Sequence, residues 1–254
     1  MQAPHILIIG AGQAGTTAAA ELRSRGFQGS ITLVSDEPHL PYERPPLSKD
    51  ALLNPEQAQL TLHPASFYQE QNIDLKLGVR AVAIDAQARQ VSLSNGDSLN
   101  YDSLLLATGA QARRLPELDA LGSVSHVLRT LDDAHRIRAQ IQPGSHALLV
   151  GAGVIGLELA SSLVAMGATV ELIDPATRIM SRNAPEVLSD YLLGIHQARV
   201  GTQQRRNNDC SNFSVGRVNT RWCIERISRV KIHQPKSIAV DDILEITAQN
   251  TANG

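Results

Sequence analysis

The stretch ILIIGAGQAGTTAAA, residues 6–20, decides the fold. Its opening run, Ile6, Leu7, Ile8 and Ile9, is apolar throughout, as a strand covered on both faces of a parallel sheet must be. Gly10, Ala11, Gly12, Gln13, Ala14 and Gly15 end the strand, and a helix-forming stretch over residues 16–25 follows. In that order each glycine has a task. Gly10 permits the tight turn, Gly12 lets backbone approach a pyrophosphate, and Gly15 lets helix pack on strand. The helix start offers unpaired N–H groups and a partial positive charge to phosphate. A second apolar run, residues 31–34, leads to Asp36, where a carboxylate can accept from a ribose diol. Glycines in this spacing also mark ordinary turns; the strand before them and the helix behind them favour a nucleotide site.

The same grammar returns at LLVGAGVIGLELA, residues 148–160. A strand over residues 147–150 meets the loop Gly151, Ala152, Gly153, Val154, Ile155, Gly156, and a helix runs on to about residue 166. A further strand, residues 169–173, ends at Asp174. The fold this implies is α/β, with two Rossmann-like modules of doubly wound type. Two nucleotide modules imply two nucleotide cofactors: a tightly held FAD and a diffusing nicotinamide, placed so that hydride passes between their rings. Asp174 stands where a carboxylate can accept from a ribose diol, with Arg178 close by.

Between the loops lies HLPYERPPLSK, residues 39–49. Alone it reads as a proline-stiffened surface loop. Beside a dinucleotide fold, Arg44 and Lys49 bring cations toward an anionic cofactor. VSLSNGDSLNY, residues 91–101, alternates about Asn95-Gly96, a strong hairpin signal. SLLLATGA, residues 103–110, reads as a buried strand stopped by the small residues Ala107, Thr108 and Gly109, past which a ligand can lie close to the chain. A helix is expected over residues 131–141.

Composition narrows the function classes. The 254 residues are 43% hydrophobic and 19% charged with net charge -2, an ordinary globular balance without a basic footprint for nucleic acid. No apolar run is long enough to span a bilayer, and no secretory signal precedes the first strand, so the expected compartment is the cytoplasm. Cys210 and Cys223 match neither a disulfide scaffold nor a redox or metal spacing. The eight histidines form no H-x-x-x-H pair, and no metal site is expected.

GAGQAG, HLPYERPPLSK, LLLATGA, VLRTLDDA and GAGVIGLELA together resemble the FAD-dependent NADH:ferredoxin reductases of bacterial aromatic-ring dioxygenase systems, those of 3-phenylpropionate/cinnamate type above all. The resemblance runs from about residue 5 to about residue 199. It implies the pyridine nucleotide-disulfide reductase fold, with Gly10, Gly12, Ala14, Gly15 and Asp36 holding the FAD adenosine and pyrophosphate. It adds Arg44, Lys49, Ala81, Thr108, Gly109 and Arg129 to the FAD contacts, and assigns Gly151, Gly153, Gly156 and Asp174 to NAD. Lys49 and Glu158 are the implied catalytic pair, beside the flavin where nicotinamide docks. Read from the residues alone, Glu158 also suits a solvated helix face and Arg129 an ordinary surface position. The implied reaction takes hydride from NADH to FAD and passes electrons singly to a [2Fe-2S] ferredoxin that feeds the oxygenase. The active-site C-x-x-x-x-C of related disulfide reductases does not occur. A related NADH oxidase or nitrite-reductase-type flavoprotein, or an inactive remnant, are the rival readings.

The resemblance divides the chain into a first FAD segment, residues 1–112, an incomplete NAD module, residues 113–199, and an atypical tail, residues 200–254. The tail holds both cysteines, Trp222 and the crowded Arg205, Arg206, Arg217, Arg221, Arg226 and Arg229. Its readings are a frameshifted or degenerate ending, an ordered ending of another kind, and a nucleic-acid arm; the absence of aromatic interleaving speaks against the last.

Overall fold

The computed structural model describes residues 3–204, 213–217 and 243–247. In chain order the elements are β1 (His5–Ile9), α1 (Gln13–Ser24), β2 (Ser30–Val34), α2 (Asp50–Leu53), α3 (Ala65–Glu70), β3 (Ile73–Lys76), β4 (Ala81–Asp85), β5 (Gln90–Leu93), β6 (Ser98–Asn100), β7 (Ser103–Leu106), α4 (Pro116–Asp119), β8 (Ser125–Val127), α5 (Leu131–Gln140), β9 (His146–Val150), α6 (Val154–Ala165), β10 (Thr169–Asp174), α7 (Glu186–Gln204), β11 (Phe213–Arg217) and β12 (Ile243–Thr247). They form two compact units. One comprises Met1–Arg44 and Gln59–Ala110; the other comprises Pro45–Ala58 and Gln111–Gly254.

In the first unit a parallel sheet has the order β3-β2-β1-β7. Central β1 pairs with β2 from His5↔Ser30 to Ile9↔Val34 and with β7 from Ile6↔Ser103 to Ile9↔Leu106. Its apolar run is explained by cover on both faces. Ile8 packs with Ala19 of α1 and with Leu33, Tyr68 and Ile73. Leu7 and Ile9 face the other way, onto Val91 and Leu93. Those two residues come from an antiparallel sheet of order β4-β5-β6, whose last hairpin turns at Asn95-Gly96 as the sequence signals. Each fully buried leucine or isoleucine here contributes about 1.5–3 kcal/mol by leaving water.

In the second unit five parallel strands have the order β11-β10-β9-β12-β8. β9 pairs with β10 from His146↔Thr169 to Val150↔Ile173. Helix α6 is apolar almost all round, and Leu157, Leu159, Ala160 and Leu163 are buried, as such a helix requires. Helix α5 starts with a capping box: the Thr130 side chain accepts from the Asp133 N–H, and the Asp133 carboxylate accepts from the Thr130 N–H.

β7, read from the sequence as a buried strand, instead leaves Leu105 and Leu106 exposed. Pro45–Ala58 groups with the second unit, so the first unit is discontinuous in sequence. The physical reason is local docking. Residues 45–48 form a 3-10 turn packed on α5 and α6, α2 packs on α5, and the Arg138 guanidinium donates to the Leu52 carbonyl at the end of α2. The second sheet also continues past residue 199. β11 adds to β10 in register from Val170↔Phe213, and β12 enters between β9 and β8 from Ile243↔His146. The cysteines and Trp222 lie outside the described residues.

Candidate nucleotide-binding sites

The first loop leaves β1 at Gly10, whose N–H donates to the Val34 carbonyl at 2.8 Å. Gly10 has φ of +110°, and a Cβ there would stand 2.1 Å from the Ala107 carbonyl oxygen. A Cβ on Gly15 would meet the Gly10 carbonyl oxygen at 1.9 Å. These two glycines are therefore demanded by the chain's own packing. Gly12 differs: nothing lies within 4 Å of a Cβ built on it, and it caps α1 without a side-chain hydrogen bond. The unfilled space and the uncapped N–H groups suit a pyrophosphate. Ala14 is exposed on the first turn, while Thr16 is buried with its hydroxyl donating to the Ala11 carbonyl.

The second loop repeats this backbone. Gly151 has φ of +119° and its N–H donates to the Ile173 carbonyl at 2.8 Å. Gly153 caps α6 without a side-chain bond and has nothing within 4 Å of its Cβ position. Gly156 is buried in the first turn of α6. Both loops thus fit the pyrophosphate of a dinucleotide.

The acidic partners are not equivalent. Asp174 directly follows Ile173, the residue paired with Val150, and its carboxylate folds onto the loop. It accepts from the Ala152 N–H and the Ala176 N–H, each at 2.7 Å. In the first unit the residue in that register is Ser35, because Val34 pairs with Ile9. Asp36 lies one residue later and pairs instead with Arg80 at 3.1 Å in an open position. Arg178 donates to the Ala184 carbonyl and the Ser189 hydroxyl, both at 2.6 Å, and to the Ser181 carbonyl, which ties it to its own loop and to the first turn of α7.

Arg44 is paired with Glu37 at 2.7 Å and lies over the Tyr42 ring, so its place is set by its own loop. Ala81 opens β4, and Thr108 and Gly109 are exposed just past β7. Arg129 precedes the α5 cap, its N–H donating to the Asp133 carboxylate. Lys49 and Arg129 both belong to the second unit, the one carrying the second loop.

Lys49 and Glu158 are brought together. The Lys49 ammonium donates to Glu158 Oε1 at 3.0 Å, and the Ser48 hydroxyl donates to Glu158 Oε2 at 2.6 Å. The Ser162 hydroxyl in turn donates to the Ser48 carbonyl at 2.6 Å. Sequence reading missed Ser48 and Ser162; the only signal was that Ser48 precedes Lys49 inside PPLSK. Among the described residues no group of His, Cys, Asp and Glu side chains is placed to hold a metal ion. Behind the first loop, burial pushes the Tyr68 phenol above its ordinary value, the Thr16 hydroxyl opposing that shift. The opposition is weak, because Thr16 spends its own proton on Ala11 and no well-formed bond reaches the Tyr68 hydroxyl.

A family model described as pyridine nucleotide-disulphide oxidoreductase matches residues 4–247, nearly the whole chain. The chain belongs to that family. It is 50% identical over 199 residues to the 3-phenylpropionate/cinnamic acid dioxygenase ferredoxin–NAD(+) reductase component of Photorhabdus laumondii, covering 78% of this chain and 50% of the relative. It is 48% identical over 192 residues to the ferredoxin–NAD(+) reductase component of the p-cumate 2,3-dioxygenase system of Pseudomonas putida, covering 76% and 48%. The chain therefore spans about half the length of these curated relatives. Among solved structures it is similar to putidaredoxin reductase in its covalent complex with putidaredoxin, with TM-score 0.76 and 32% identity over 85% of this chain and 50% of that one. It is likewise similar to the ferredoxin reductase of the CYP199A2 system from Rhodopseudomonas palustris, with TM-score 0.75 and 31% identity over 96% and 58%. For this pyridine nucleotide-disulphide oxidoreductase the resemblance read from the motifs and the measured similarity agree.

Proposed function

We propose that the chain is the nucleotide-handling portion of a ferredoxin–NAD(+) reductase serving an aromatic-ring dioxygenase of 3-phenylpropionate/cinnamate type. The observation that carries this reading is the repeated, uncapped glycine-opened helix start, one in each unit, in a chain 50% identical over 199 residues to such a reductase component. The first loop, with Gly10, Gly12, Ala14, Gly15 and Asp36, would hold FAD; Arg44, Ala81, Thr108, Gly109 and Arg129 would complete its contacts. The second loop, with Gly151, Gly153, Gly156 and Asp174, would hold NAD. FAD, when bound, supplies the change from two-electron hydride transfer to one-electron delivery. The chain's own residues bind and orient. The N–H groups behind Gly12 and Gly153 neutralise phosphate, and Asp174 accepts from the ribose with lone pairs left over from its two backbone bonds. Lys49 and Glu158 present a paired cation and anion for the nicotinamide and flavin. The electron acceptor is a [2Fe-2S] ferredoxin, and the compartment is the cytoplasm, which supplies NADH. Among the described residues no helix is long and apolar enough to cross a membrane.

The test is NADH-driven cytochrome c reduction by the FAD-loaded chain, with and without ferredoxin. Ferredoxin-dependent turnover is expected. Rapid oxygen consumption without ferredoxin would support an NADH oxidase, and failure to take up either nucleotide would support an inactive remnant.

A further inference from the structure

The Lys49–Glu158 pair does not stand alone. Glu158 and Ser162 are one helical turn apart on α6 and share a face. That ridge grips two consecutive residues, Ser48 at the end of the 3-10 turn and Lys49 just after it. Ser162 holds the Ser48 carbonyl, Ser48 holds one oxygen of Glu158, and Lys49 takes the other. The two serines form the buried end of the chain of contacts, each 3% exposed, whereas the Lys49 side chain is 44% exposed. A hydroxyl bonded to a carboxylate at 2.6 Å is a strong, directional contact, while an ammonium on a four-carbon stem is not directional by itself. The orientation of the pair is therefore set from the buried end.

We propose that Ser48 is a positioning residue: its hydroxyl fixes the Glu158 carboxylate, and through it the direction in which Lys49 presents its ammonium. This rests on the reading that Lys49 and Glu158 serve the nicotinamide and flavin. Pro45 and Pro46 limit the freedom of the turn that carries Ser48, and the Ser162 bond pins its backbone. Without the hydroxyl, one Glu158 oxygen loses its buried donor. The carboxylate can then turn to water and release Lys49.

The experiment separates the contact from the activity. Purified chain is acetylated with a limiting amount of N-hydroxysuccinimidyl acetate, and labelling of Lys49 is read by peptide mass spectrometry relative to Lys76 in the same molecules. Ser48→Ala should raise the Lys49/Lys76 ratio roughly fivefold, the equivalent of one lost hydrogen bond. Ser48→Thr, which keeps the hydroxyl, should stay near the parent value. In a Glu158→Ala background Ser48→Ala should add nothing. An unchanged ratio in Ser48→Ala, or the same increase without Glu158, would overturn the proposal. Anaerobic stopped-flow then follows loss of flavin absorbance on mixing with NADH. Ser48→Ala should lower the limiting rate about tenfold and leave the NADH dissociation constant unchanged. A parent chain that NADH fails to reduce would refute the reductase reading, while the labelling would still decide the role of Ser48.

Discussion

The two glycine loops share a backbone and differ in what stands beside it. In both, the strand's last pairing puts a carbonyl on the first glycine's N–H, at Val34 for Gly10 and at Ile173 for Gly151. In both, the third residue of the loop caps the helix and faces open space. At the next position the units part. The second has Asp174, clasped by two loop N–H groups; the first has Ser35, with Asp36 displaced by one residue and paired outward to Arg80. Because side chains alternate along an extended chain, one residue of displacement sends the carboxylate a different way. On the proposed reading, phosphate recognition would reside in the glycines that the loops share, whereas ribose recognition would depend on strand register, in which they differ.

The largest expected effect tests the glycines. Gly10→Ala forces a methyl group against the Ala107 carbonyl in a backbone region that suits glycine, and should destabilise the first unit by about 3–5 kcal/mol. Gly12→Ala should cost under about 1 kcal/mol in thermal unfolding yet weaken FAD uptake, because its Cβ fills only the approach to the phosphates. Equal losses of stability in the two variants would remove the distinction between a packing glycine and a ligand-facing one.

The carboxylates come next. Asp174→Ala strands two N–H groups of the second loop and should cost about 1–3 kcal/mol, weaken NADH binding and relax discrimination against NADPH. Because Arg178 is tied to two carbonyls of its own loop and to Ser189 on α7, the variant should lose NADH without gaining strong NADPH binding. Asp36→Ala breaks an exposed pair worth about 0–1 kcal/mol, and should change FAD affinity less than Asp174→Ala changes NADH affinity. Isothermal titration of each nucleotide checks the ranking; a larger effect at Asp36 would show that the displaced carboxylate still reaches a ribose.

The smallest effect concerns pH. The buried Tyr68 phenol is pushed above its ordinary value of 10.0, so the folded first unit favours the neutral form. That contribution is complete below pH 10 and is lost as pH rises through the raised value. Tyr68→Phe should flatten the alkaline fall in melting temperature and leave neutral-pH stability equal or slightly higher, since the hydroxyl has no well-formed partner. An unchanged alkaline slope would place the titration elsewhere.

Local pattern made much of this legible. β1, β2, β9 and β10 read as apolar runs, Asn95-Gly96 as a turn, and both loops as glycines between strand and helix. The strands of the tail did not. FSVGR and ILEIT are short, and only pairing with β10 and β9 gives them a place. Nor could the sequence show that Pro45–Ala58 docks on α5 and α6, because that packing joins segments far apart in the chain. The same limit hid Ser48 and Ser162, whose bond spans 114 positions. Asp36 and Asp174 look alike as letters; strand register separates them.

If the two loops serve two different nucleotides, crossed loop variants should lose different functions. Gly12→Ala and Gly153→Ala are each reconstituted with FAD, and the flavin spectrum is recorded before and after anaerobic NADH. Gly12→Ala should fail to retain flavin, whereas Gly153→Ala should retain it and resist reduction by NADH. Loss of flavin from both variants alike, or normal reduction of Gly153→Ala by NADH, would contradict that assignment.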